Sequence, residues 1–233
     1  LVFLNASTIA SALILLQSKS STFPNGLANA SDQVGRNLMD HVSGAGANGL
    51  IQGFENKTVF GRRPGGIYIP RYANITEHDK PYKRGFGYQG GATPLGNANG
   101  QIPGIGQVFK EAHGAPGPWR VSIGAFGEQL PNPNNRVTLH PTKVDKWGNP
   151  LALFNVTYSE NERIMLEEAR KDAVAMLEAA GCSEINSSPV NLTVPGNRIH
   201  EMGSARMGRD PDTSVLNGWC QTHDVPNLFI TDG

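Results

Sequence analysis

Leu1-Val-Phe-Leu-Asn-Ala-Ser7, followed by Thr8-Ile-Ala-Ser-Ala-Leu-Ile-Leu-Leu16, decides the fold class. Four apolar residues read as a buried strand. Small polar residues turn the chain, and an apolar helical stretch runs to about Ser18. Ser7 or Asn5 is placed to cap that helix, because a short side-chain oxygen accepts from a free first-turn N–H. Strand, turn, helix is the unit of an α/β sheet, and such sheets bind ligands at the carboxyl ends of their strands. The opposite end of the chain carries a second short apolar run, Leu228-Phe-Ile230, just before Thr231-Asp232-Gly233. Natural domains usually end in polar, frayed residues, so both ends read as cuts through a larger protein.

Between these ends the pattern changes. Residues 19 to 35 read as a polar loop, and from Ser43 to Pro118 the chain is glycine-rich with short strand-like runs such as Gly66-Ile-Tyr-Ile-Pro70. Ile105 to Ala112 fits a short helix. Arg120 to Phe126, Arg136 to Leu139 and Leu151 to Val156 read as strands, separated by the Pro- and Asn-bearing turns at 130–135 and 146–150. The clearest helix follows Ser159-Glu-Asn-Glu162, a capping box. Leu166, Ala169, Ala173, Met176, Leu177 and Ala180 form its apolar stripe, and Gly181 ends it.

Composition excludes several functions. Lys plus Arg is 20 and Asp plus Glu is 20, a formal net charge of zero, so nothing favours a nucleic-acid or anionic-membrane partner. The longest apolar stretch, Ile9 to Leu16, is far below the roughly 20 residues a membrane-spanning helix needs. Two cysteines, Cys182 and Cys220, cannot build a disulfide scaffold or a four-cysteine zinc site; they read as separate thiols or as one bridge. Glycine (28) and proline (16) make up about a fifth of the chain, which points to many turns and loops. Gly44-Ala-Gly-Ala-Asn-Gly49 has the spelling of a dinucleotide fingerprint, but a strand-like run follows it where that motif needs a helix, so it reads as a decoy. Seven Asn-x-Ser/Thr sequons follow from a composition rich in those residues. Of six histidines none has zincin spacing. His200 stands out, in Asn197-Arg-Ile-His-Glu-Met-Gly-Ser-Ala-Arg-Met-Gly208, because glycines beside an imidazole allow close approach to a flat ligand and the ring takes up a proton near neutral pH.

Four stretches together resemble the glucose–methanol–choline (GMC) flavin oxidoreductases, in particular their bacterial sugar- and gluconate-dehydrogenase-like branch. They are Leu1 to Ser7 with Ile14-Leu-Leu-Gln-Ser18; Val34-Gly-Arg-Asn-Leu-Met-Asp-His41; Asn135-Arg-Val-Thr-Leu139 with Asp145 to Pro150 and the 159–181 helix; and His200 to Gly208 with Ser214-Val-Leu216 and Asn227 to Gly233. The resemblance implies an α/β and α+β chain. An incomplete FAD-binding domain would take residues 1–43 and 197–233, with a mostly antiparallel-sheet substrate domain, 44–196, inserted between them. It implies oxidation of a sugar or polyol CH–OH group by FAD. On the same resemblance hydride would pass to flavin N5, with His200 as the catalytic proton acceptor. Ala6, Asn37, His41, Asp232 and Gly233 match cofactor-binding stretches. Ser204 stands where the family usually has Thr. The family's glycine-rich fingerprint would precede Leu1 and its second active-site residue would follow Gly233, so this chain alone is expected to bind FAD poorly and to be inactive. Two other readings compete: a non-catalytic carbohydrate-binding or scaffold remnant of the same fold, and a zinc hydrolase built on His200, His223 and Asp210. The electron acceptor and the compartment stay open.

Overall fold

The computed structural model describes residues 1–55, 57, 66–95, 104–114, 117–192 and 195–233. Its order is β1 (Val2–Phe3), α1 (Thr8–Gln17), β2 (His41–Ile51), β3 (Ile67–Ile69), β4 (Phe86–Pro94), α2 (Gly106–Gly114), β5 (Trp119–Glu128), β6 (Arg136–Val144), β7 (Pro150–Asn155), α3 (Glu160–Ala179), β8 (Ser183–Asn186) and β9 (Leu228–Phe229). The chain divides into two compact units. One comprises Leu1–Val42, Gln129–Ser159 and Val194–Gly233; the other comprises Ser43–Glu128 and Glu160–Thr193.

In the first unit β1 and β9 pair in parallel, Val2 opposite Leu228 and Phe3 opposite Phe229. A parallel pair needs a crossover connection, and here the rest of the chain supplies it. α1 follows β1 and packs Ala12, Leu15 and Leu16 into a core with Val34, Leu38, Val137, Val215, Leu216, Leu228 and Ile230. Two expectations need correction. Ser7 stands at the N-cap of α1 but makes no side-chain cap bond, and the Asn5 carboxamide oxygen accepts instead from the Thr231 N–H (2.9 Å) and hydroxyl (3.0 Å). β1 is not buried: Leu1, Val2 and Phe3 are 87%, 52% and 62% exposed, with Phe3 stacked on Phe229 at 5.5 Å.

The β6–β7 hairpin is antiparallel, with Val137 opposite Phe154 and Leu139 opposite Ala152. Residues 129–159, within the expected 44–196 insertion, fall in the first unit. Val137 is a member of the first unit's core, and Leu139, Ala152 and Val156 pack against it. Burial of these side chains beside α1 draws residues 129–159 to the first unit, although they fall inside the expected insertion.

The second unit carries a five-stranded sheet in the order β3-β4-β5-β2-β8. β3–β4, β4–β5 and β2–β8 are antiparallel pairs. α3 packs on this sheet with Met165, Leu166, Ala169, Ala173 and Leu177 buried, while Ala180 is exposed. Gly181 follows it at φ +80°, the left-handed residue that lets the Cys182 N–H return to the Leu177 carbonyl at 3.0 Å. Opposite α3 lie Phe86 and Tyr88, ring centroids 5.6 Å apart and nearly perpendicular. The Tyr88 hydroxyl donates to the Ala169 carbonyl at 2.7 Å. The glycine run 44–49 lies inside β2, extended rather than looped. Cys182 and Cys220 are both free thiols. Among the described residues no helix is long and apolar enough to cross a membrane.

Candidate active site around His200

Two distant segments of the first unit meet at the site. Met39 and Met202 form an antiparallel bridge, each N–H bonding the other's carbonyl at 2.9 Å. The Gly35 N–H donates to the Ser204 carbonyl at 2.7 Å. The two strands approach so closely that a Cβ on Gly203, φ +96°, would lie 2.2 Å from the Asn37 carbonyl oxygen. Only glycine fits there, for reasons of both space and backbone conformation.

This pairing brings His41 beside His200. Their ring centroids are 5.0 Å apart and the planes nearly perpendicular. His200 is exposed to solvent. Beneath the two histidines sits Asp40, 5% exposed. Its Oδ1 accepts from the backbone N–H of His41 (2.7 Å) and of His200 (3.2 Å). Its Oδ2 accepts from the Arg198 N–H at 2.7 Å. Asp40 lies in a stretch quoted from the sequence, yet nothing local marked it, since two of its three partners are about 160 residues away. A cavity of about 230 Å³ adjoins Asp40, with Ile9, Leu38, Met39, Phe154, Val156 and Glu201 among its lining.

The last residues fold against the first turn of α1. Ser11 Oγ donates to Asp232 Oδ2 and accepts from the Ala6 N–H at 3.1 Å. Thr8 Oγ1 lies within bonding distance of the Glu201 and Gly233 carbonyls, at 2.6 and 3.0 Å. Buried Ser204 donates to the Thr8 carbonyl at 2.7 Å. Hence Thr8 and Ser11, which the sequence did not single out, tie residues 201–204 and 232–233 to one helix end.

The other candidate residues separate into two groups. His41, Asp232 and Gly233 lie on these contacts. Asn37 is buried, with left-handed φ of 57° and its carbonyl against Gly203. Ala6 is exposed, and its N–H is taken by Ser11. His223 faces Ser214 instead, Nε2 to Oγ 3.0 Å. No group of three or more His, Cys, Asp or Glu placed to hold a metal occurs among the described residues, so His200, His223 and Asp210 form no zinc site.

A nucleotide cofactor fits the helix end on two observations. The first-turn amides of α1 have no intrahelical acceptor, and Ser7 leaves them uncapped. Asp232 Oδ1 and Arg198 Nε are buried polar atoms without a hydrogen-bond partner, an acceptor and a donor of the kind a polar ligand satisfies.

Buried Asp40, exposed His200 and the first turn of α1 are thus linked through residues 198–204. Residues 131–233 match the GMC oxidoreductase family model. Over its whole length the chain is 32% identical to the 2-methyl-1,2-propanediol dehydrogenase of Mycolicibacterium austroafricanum, covering 43% of that protein. Over 98% of its length it is 31% identical to the fructose dehydrogenase large subunit of Gluconobacter japonicus, covering 41%. The gluconate 2-dehydrogenase flavoprotein of Pantoea cypripedii is 29% identical over 47% of the chain and 19% of that protein. The chain thus spans about two fifths of the length of the first two relatives. These relatives are named as oxidoreductases of alcohols and sugars.

Proposed function

We propose that these residues serve a flavin-dependent oxidoreductase that oxidises a CH–OH group of a sugar or polyol, with His200 accepting the hydroxyl proton. The observation that carries this reading is the solvent-open His200 imidazole standing on a backbone that buried Asp40 holds fixed. The names of the relatives supply the substrate class: a diol, fructose and gluconate.

FAD, when bound, supplies the hydride acceptor. The chain's part is proton and position. An alcohol releases hydride from its C–H more readily as negative charge gathers on the adjacent oxygen, and an imidazole within hydrogen-bond reach removes that proton. His41, edge-on to His200, restricts the orientation of its ring. The uncapped first turn of α1 offers N–H donors to a phosphate. Asp232 Oδ1 offers an acceptor to a ribose or ribityl hydroxyl.

The test is His200→Ala in the full-length gene product. Alcohol-dependent reduction of an artificial electron acceptor is expected to fall by at least 10²-fold with the flavin absorbance retained. Undiminished turnover would refute the assignment. The 233-residue chain purified alone is expected to be colourless; a stoichiometric yellow protein would show that these residues hold FAD unaided.

A further inference from the structure

We propose that Asp40 is the positioning residue of this site: its carboxylate sets the backbone from which the two imidazoles project. The inference rests on the reading of His200 as the proton acceptor and adds a residue that acts through it. Three backbone N–H groups, of His41, Arg198 and His200, converge on one carboxylate at 2.7, 2.7 and 3.2 Å. Residues 197–201 contain no helix or strand. A hydrogen bond to an ionised acceptor is roughly twice as strong as a neutral one, so the carboxylate gives this irregular segment the order a sheet would otherwise provide.

The backbone of Asp40 is itself held. The Asp40 N–H donates to Gln129 Oε1 at 3.1 Å, and Gln129 Nε2 donates to the Thr157 carbonyl at 3.1 Å. Buried Asn135 closes the chain: its Nδ2 donates to the Thr157 carbonyl (3.0 Å), its Oδ1 accepts from the Thr157 N–H (3.0 Å), and its own carbonyl accepts from the Leu38 N–H (3.0 Å). Asp40, Gln129 and Asn135 are 5%, 7% and 2% exposed. Polar groups this buried hold one arrangement, since an alternative leaves donors unpaired. The network joins residues 38–41, 129–135 and 157 to the backbone of 198 and 200, so the His200 segment is referred to the interior of the first unit rather than to its surface.

Asp40→Asn is the discriminating variant. It keeps shape and one carbonyl oxygen but turns an N–H₂ toward an N–H. In the unaltered 233-residue chain, amide hydrogen exchange at Arg198 and His200 is expected to be at least tenfold slower than in an unstructured peptide. In Asp40→Asn, protection at His41, Arg198 and His200 is expected to fall at least tenfold, with Leu15 and Val137 unchanged. In the full-length gene product kcat is expected to fall by about 10- to 10²-fold, the effect of displacing a reacting group by about 1 Å, with flavin retained and KM changed less than threefold. Peptide-like exchange at Arg198 and His200 in the unaltered chain overturns the proposal without any variant, and so does an unchanged kcat in Asp40→Asn. If His200→Ala leaves turnover intact, the proton-acceptor reading fails, while loss of protection in Asp40→Asn still shows the carboxylate holding the backbone.

Discussion

Gly203→Ala is the sharpest test of how the site is assembled. The added methyl would sit 2.2 Å from the Asn37 carbonyl oxygen and 2.9 Å from the Met39 terminal methyl. The methionine can move; the carbonyl belongs to a buried backbone in left-handed conformation. Restoring ordinary contact at 3.4 Å means separating the two strands by about 1 Å. That displacement breaks or stretches the two Met39–Met202 hydrogen bonds, both 2.9 Å, at about 1 kcal/mol each. Holding alanine at φ +96° adds roughly 1–2 kcal/mol. The total is about 3–4 kcal/mol, concentrated on one bridge. Because each unit has its own core, the measurement is local: amide exchange at Met39 and Met202 in the 233-residue chain, expected to accelerate by two orders of magnitude or more. A change of less than threefold would show that the strands tolerate a side chain at position 203, and the account of how His41 and His200 are brought together would then be wrong.

Three further outcomes follow from the packing and the charges. Leu15→Ala, at a fully buried position in the α1 core, is expected to cost about 3–5 kcal/mol by urea denaturation, seen in probes of the first unit. Tyr88→Phe removes the 2.7 Å bond to the Ala169 carbonyl and is expected to cost about 1 kcal/mol in probes of α3, leaving Met39 exchange unaltered. Burial opposes the charge of Asp32, but bonds from Arg36 and Arg136 outweigh it and hold its carboxyl below the usual carboxylate range. A depressed carboxylate stabilises above its unfolded pKa, near 3.9, and the contribution is lost as pH falls through the folded value. Because the side chain is 54% exposed, solvent screening limits the effect to about 0.2–1 kcal/mol. The difference in urea midpoint between the native chain and Asp32→Asn is therefore expected to be present at pH 7 and to shrink as the pH falls below the unfolded carboxylate range.

Much of the local structure was legible because its causes lie within a few residues. The turn at Asn5-Ala-Ser7 separates β1 from α1 as read. The α3 stripe buries Leu166, Ala169, Ala173 and Leu177, and Gly181 stops it. β2 and β4 were harder to see. Gly44-Ala-Gly-Ala-Asn-Gly49 and Gly90-Gly91 carry few of the β-branched residues that mark strands, and they are extended only because neighbouring strands pair with them. The same limit applied to β6–β7, whose strands were read but whose partner core was not.

By itself the sequence determined which segments turn, coil or extend, and that His200 and its glycines form one block, since those properties depend on neighbours along the chain. Only the tertiary structure decided that Asp40 reaches the N–H groups of Arg198 and His200, that Gly203 presses on Asn37, and that Ser11 holds Asp232. Each of those contacts joins residues more than 150 positions apart. Nothing in local propensity favours one such pairing over another; burial of the α1 core and satisfaction of buried polar groups select it.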